Sequence, residues 1–118
     1  MSELKSILES LCAVEGVQGA FLIDENGIMV ESVAQIPVDI DTIANLAHLS
    51  VTSGMAISDS LDKKALIQSY VEFKNSSLTL DLIKNNAILA LLASAGSNLG
   101  RIRLELRKNR KSVESLMS

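Results

Sequence analysis

Apolar residues recur along this chain with two different periods, and the switches between them mark out eight elements. Near the start, Leu4, Ile7, Leu8, Leu11 and Cys12 fall at helical spacing behind Ser2, a side chain suited to capping a helix N-terminus. Glu15-Gly16 ends that helix. Two strand-like runs follow, about 18–24 and 28–34, joined by Asn26-Gly27. An Asn-Gly pair tolerates the positive φ angles of a type I′ turn, so the spacing predicts a tight hairpin. Pro37 lies in the next connection, where a missing N–H does no harm.

A second helix is expected from Asp39 or Asp41 to about Ser58, over 39–58. It carries two stripes instead of one. Ile40, Ile43, Ala44, Ala47, Val51, Gly54 and Met55 gather on one side, while Leu46 and Leu49, with the small Thr42 and Ser53, lie nearly opposite. A helix that only covers a sheet needs a single stripe. The second one therefore asks for another packing partner, and a symmetry-related copy of the same helix is the simplest candidate. The alternative is two tolerated surface leucines, since much of any folded surface is apolar.

From Lys64 onward three strand-like runs, 65–73, 78–83 and 87–94, are separated by Asn75-Ser76-Ser77 and Asn85-Asn86. Gaps this short force antiparallel neighbours. In 65–73 apolar residues occupy both faces, and 87–93 is almost wholly apolar, as a central strand covered on both sides must be. A last helix from about Asn98 to Leu116 aligns Leu99, Ile102, Leu106, Val113 and Leu116. The expected fold is α+β in the order α-β-β-α-β-β-β-α. A five-stranded antiparallel sheet is covered by helices on both faces, in a single domain over 1–118.

Composition narrows the class. Apolar residues make up 47% of the 118, with one Pro and no Trp, which excludes a disordered chain. No apolar run reaches the roughly 20 residues of a membrane span, and no secretory signal opens the sequence, so a cytoplasmic location is expected. The single Cys12 forbids an internal disulfide. The net charge of −3 hides an asymmetry. Residues 98–118 hold six basic and two acidic groups, and the preceding 97 hold five basic and twelve acidic groups.

Catalytic chemistry is hard to find. His48 is the only histidine and has no second ligand at metal-binding spacing, so a structural or solvent-facing histidine is the plainer reading. The glycines are scattered and none precedes Lys-Ser/Thr, so no phosphate-cradling loop is present. No serine stands in a Gly-x-Ser-x-Gly elbow. Catalytic residues, cofactor and metal are all expected to be none. The basic last helix could attract phosphate of nucleic acid or an anionic membrane. The chain's acidic balance and its three aromatic residues, none in that helix, argue against nucleic acid as a partner and favour a solvated face or a charged protein contact.

The element order, the segment Gly16-Val17-Gln18-Gly19-Ala20-Phe21-Leu22-Ile23-Asp24-Glu25-Asn26-Gly27 and the late Leu99-Gly100-Arg101-Ile102-Arg103-Leu104 resemble the Roadblock (dynein light chain-like) family, closest in kind to its prokaryotic MglB-like members. The resemblance covers essentially the whole chain and rests on apolar and glycine patterns. It implies a dimer in which strand 65–73 pairs antiparallel with its mate and helix 39–58 packs beside its copy. The interface would include Leu46, Leu49, Ser53, Ile67, Ser69 and Val71. It further implies regulation of a small Ras-like GTPase, as activator or scaffold, by holding the GTPase switch region in a productive arrangement. A structural scaffold or motor light-chain-like subunit without effect on nucleotide turnover is the alternative. The GTPase would dock on the second-helix face, at Asp41, Asn45, His48 and Thr52, or on the opposite face, where Arg103 and Arg107 lie. No residue is singled out as an inserted arginine finger.

Overall fold

Three polar side chains start the three helices. Ser2, Asp39 and Asn98 each accept a hydrogen bond from the backbone N–H three residues on, at 3.0, 3.2 and 3.0 Å, satisfying a donor that the first helical turn leaves free. The structure, a computed structural model, describes residues 2–61 and 66–117. Helix α1 is Glu3–Cys12, α2 is Ile40–Ser60 and α3 is Leu99–Ser115. The strands are β1 (Val17–Ile23), β2 (Met29–Ala34), β3 (Gln68–Glu72), β4 (Ser76–Leu82) and β5 (Ile88–Ser94). All neighbours are antiparallel, in the order β2-β1-β5-β4-β3, so the sheet's open edges are β2 and β3.

The alternation of side chains along each strand builds two cores. On one face Ala20, Leu22, Leu89 and Leu91 meet Leu8 and Leu11 of α1 and Ile102, Leu106 and Val113 of α3. On the other, Phe21, Ile23, Leu78, Leu80, Ile88 and Ala90 meet Ala44, Ala47 and Val51 of α2. Strand β5 is buried throughout except at Ser94, as its unbroken apolar run requires. The small residues of α2 let that helix lie close against the sheet.

The two expected turns have exchanged character. Asn26-Gly27 does not form the type I′ turn expected of it, because Gly27 (φ +80°) is its one left-handed residue. Asp24 explains why. Its carboxylate accepts from the N–H groups of Asn26 and Ile28 at 2.9 and 3.0 Å, and its carbonyl accepts from Gly27 N–H at 3.0 Å. This Asx-stabilised turn followed by a left-handed glycine shifts the register between Leu22 and Ile23. The type I′ pair is Asn85-Asn86, both at φ +59°, closed by Ala87 N–H to the Lys84 carbonyl at 3.2 Å.

Other boundaries move little. Helix α2 runs two residues past Ser58, and β4 takes in Ser76 and Ser77, whose partners on β5 are Ser94 and Ala93. The strand expected over 65–73 is regular over Gln68–Glu72. Ala65 lies outside the described residues. Ile67 and Phe73 still belong to the ladder, through Leu82 N–H to the Ile67 carbonyl (2.9 Å) and Phe73 N–H to the Ser76 carbonyl (2.7 Å).

Gly27 is the position where this geometry is most exposed to substitution, since an added Cβ would also meet the His48 ring at about 3.1 Å. Gly27→Ala should cost about 1–2 kcal/mol, seen as a lower urea midpoint at fixed protein concentration. An unchanged midpoint would mean that the turn relaxes into another form.

Candidate functional site

The open edge at β3 is flanked by exposed apolar side chains, as β2 is by Ile28 and Val30. Ile67 is 67% exposed, Tyr70 39% and Phe73 39%. An unpaired strand presents a row of N–H and C=O groups ready to add another strand, and edges that must stay single normally carry charge or proline. Residues 67, 69, 71 and 73 face α2, and Val71 packs into its core. Gln68, Tyr70 and Glu72 face α3, since their β4 partners Asp81, Thr79 and Ser77 lie on the face opposite to Leu78 and Leu80.

Helix α2 continues this apolar surface. Leu49 is 64% exposed, and Ile57 and Leu61 are each 60% exposed, so Leu49, Ser53, Ile57 and Leu61 form one i, i+4 ridge. The helix is oriented by two close contacts. Gly54 lies against the end of the Leu66 side chain, just before β3, while His48 lies against Gly27 in the β1–β2 turn. The ridge therefore leans towards β3, and the polar row leans away from it.

Of the residues singled out from sequence, Leu49, Ser53 and Ile67 are exposed on this surface, and Ser69 and Val71 are half-buried on β3. Leu46 departs from the second stripe: it is half-buried and packs against the α2 core. Asp41, Asn45 and Thr52 are exposed, and Thr52 donates to the His48 carbonyl at 2.7 Å. His48 is half-buried against the turn, so its ring is largely engaged. Ile57 and Leu61 are absent from the residues that the sequence singles out. The i+4 step from Leu49 through Ser53 points to Ile57, inside the expected helix, and on to Leu61, beyond its expected end at Ser58.

A basic recess of about 120 Å³ lies on the α3 side of the same edge, lined by Ile67, Gln68, Asp81, Arg103, Arg107 and Arg110. Arg110 donates to the Leu82 carbonyl at 2.9 Å and pairs with Glu114 at 3.6 Å. Arg103 and Arg107 are exposed and make no salt bridge among the described residues. Burial pushes the Asp81 carboxyl above its ordinary range, opposed by Arg110 and by a hydrogen bond from the Gln68 side chain. A wider cleft of about 460 Å³ at the start of α3 is lined by Gly16, Ser94, Ser97 and Arg101. Its hydroxyls bind backbone, Ser97 to the Ser94 carbonyl at 2.6 Å and Ser94 to the Gly16 carbonyl at 3.3 Å, which ties the loop together. Among the described residues no group of three or more His, Cys, Asp or Glu side chains is arranged to hold a metal ion, and no helix is long and apolar enough to cross a membrane.

A model of the Roadblock/LC7 domain matches residues 3–93, most of the chain. The chain belongs to the Roadblock/LC7 domain family. An uncharacterised protein of Methanocaldococcus jannaschii is 23% identical over 115 residues, 98% of this chain and 97% of that protein. Myxococcus xanthus MglB has the same fold, with a TM-score of 0.88 at 18% identity, covering 98% of this chain and 95% of that one. An MglB solved in a tetrameric arrangement matches with a TM-score of 0.87 at 18% identity, covering 98% and 91%.

Within this Roadblock fold Asp81 is a carboxylate held in place at a cost. Its raised value means the unfolded chain gives up the proton first, so ionisation lowers stability as pH rises from the usual aspartate range through Asp81's higher value. Asp81→Asn, which keeps the hydrogen bond to Gln68, should therefore raise the urea midpoint at pH 7. The gain should shrink as pH falls through Asp81's raised value and be gone below about 4. A variant less stable than the parent at pH 7, by the same margin at every pH, would show that the attraction of the arginines outweighs burial.

Proposed function

We propose that the chain is a non-catalytic, dimeric regulator or adaptor of a small Ras-like GTPase, with two copies joined along β3 and α2. The observation that carries this reading is the meeting of an apolar open strand and an apolar helix ridge on one side of the molecule. Strand pairing across a two-fold axis would give β3 its missing hydrogen bonds, and the same operation would bring Leu49, Ser53, Ile57 and Leu61 against their copies. The other edge lacks this continuity, because the flank of α2 nearest the β1–β2 turn carries His48 and Thr52. Self-association is in keeping with the tetrameric arrangement of one MglB.

In such a dimer the exposed polar residues Asp41, Asn45 and Thr52 would rim the paired helices and offer hydrogen bonds to a docked partner. Family resemblance supplies the class of partner. The chemistry required of the dimer is positional: a GTPase switch segment held in its hydrolysis-competent arrangement reacts faster without any donated group. A scaffold that binds the same partner without changing its turnover uses the same surface.

Two outcomes are expected. In sedimentation equilibrium the protein should be dimeric at micromolar concentration, and Ile57→Asp should raise the dimer Kd about 100-fold or more, because each copy would bury an unpaired carboxylate. A monomeric parent protein contradicts the reading. In single-turnover hydrolysis by the small Ras-like GTPase encoded nearest this chain's gene, a twofold excess of the dimer should accelerate the reaction, and Asn45→Arg should abolish the effect while leaving the dimer intact. Co-elution without acceleration selects the scaffold, and absence of both contradicts a GTPase partner.

A further inference from the structure

We propose that the two β3 strands of the dimer pair about a two-fold axis at Tyr70, and that the basic recess of each copy is completed by Glu72 of the partner subunit. This rests on the dimer proposed above and specifies its register. Antiparallel neighbours place residues of the same face opposite each other, so the axis must pass through a residue position, which leaves Ser69, Tyr70 and Val71 as the central choices.

Three features of the chain favour Tyr70. The first is hydrogen bonding. Ile67 and Phe73 direct their backbone groups to β4, so by alternation Gln68, Tyr70 and Glu72 direct theirs outward. An axis at Tyr70 pairs all three of these residues, Gln68 with the partner's Glu72 and Tyr70 with the partner's Tyr70. An axis at Ser69 or Val71 leaves one of the three opposite a residue outside the strand. The second is apolar matching. On the α2 face an axis at Tyr70 sets the exposed Ile67 opposite the partner's Phe73. An axis at Val71 would set it opposite the partner's Asn75, and one at Ser69 would leave Phe73 without a partner among the strand residues 67–73.

The third is charge. Gln68 lines the recess with Arg103, Arg107 and Arg110, and Arg103 and Arg107 have no salt-bridge partner among the described residues. Whichever residue the partner places opposite Gln68 enters the field of these arginines. The Val71 axis brings the partner's Lys74, which is repelled. The Tyr70 axis brings the partner's Glu72, whose carboxylate can accept from a planar guanidinium fork. By symmetry the site occurs twice per dimer, so each change is felt twice.

The register is tested by three single-cysteine variants under mild oxidation, Ser69→Cys, Tyr70→Cys and Val71→Cys. The residue on the axis faces its own copy at a Cα separation of about 5.5 Å, within disulfide reach, while its neighbours are carried beyond about 7 Å from theirs. Tyr70→Cys should cross-link fastest. In parallel, Glu72→Arg should weaken the dimer about tenfold or more, and adding Arg103→Glu with Arg107→Glu should restore most of the loss. Fastest cross-linking at 69 or 71, or a Glu72→Arg effect that the arginine reversals leave unchanged, overturns the register while the dimer stands. A parent protein that is monomeric at micromolar concentration removes the dimer and the register together.

Discussion

An unpaired strand edge is costly in a particular way: its backbone groups keep water, but flanking apolar side chains cannot. At β3 the two demands collide, because the outward-facing amides of Gln68, Tyr70 and Glu72 lie between exposed Ile67 and Phe73. Much of the remaining architecture follows from where this edge sits. The order β2-β1-β5-β4-β3 buries the most apolar strand, β5, in the middle and delivers β3 to the rim. The short Asn75 and Asn85-Asn86 connections fix that order by making β3, β4 and β5 a meander.

The layers divide the labour between the sheet's faces. Helices α1 and α3 together cover one face, with Cys12 and Gln35 tying α1 to the β2 side through hydrogen bonds of 3.4 Å to the Val33 carbonyl and 3.2 Å to the Cys12 carbonyl. Helix α2 covers the other alone. A single helix leaves a wide sheet partly bare, and its small buried residues, Ala44 and Ala47, bring it close while its large ones, Leu49, Ile57 and Leu61, point outward. The polar positions Ser77, Thr79 and Asp81 of β4 are buried beneath α3, and Arg110 of that helix answers the most demanding of them. The excess of cations at the end of the chain is thus part structural and part displayed at the β3 edge.

The element order and both packed faces were legible in the sequence because period-2 and period-3.6 patterns are long and unbroken here. The turn types were not. Asn26-Gly27 carries the stronger hairpin signature, but Asp24, two residues earlier, offers its carboxylate to the turn and selects a different backbone, leaving the type I′ geometry to Asn85-Asn86. The α2 ridge was half legible. Leu49 and Ser53 stood out by angle, but the angle alone could not tell that Leu46 would be half-buried against the α2 core or that Leu61, capping the helix, would extend the ridge. The basic recess was invisible as a site, because Gln68 and Asp81 join Arg103 and Arg107 only through strand register.

The most direct test of the account is residue-resolved amide hydrogen exchange along β3 as a function of protein concentration. The inward-facing amides of Ser69 and Val71 should be protected at all concentrations. Those of Gln68, Tyr70 and Glu72 should pass from fast to slow exchange as the dimer forms, with the same concentration dependence as its mass. Fast exchange at these three positions in a sample that is fully dimeric by sedimentation would contradict the account, for it would mean that the copies meet elsewhere and that β3 remains an open edge.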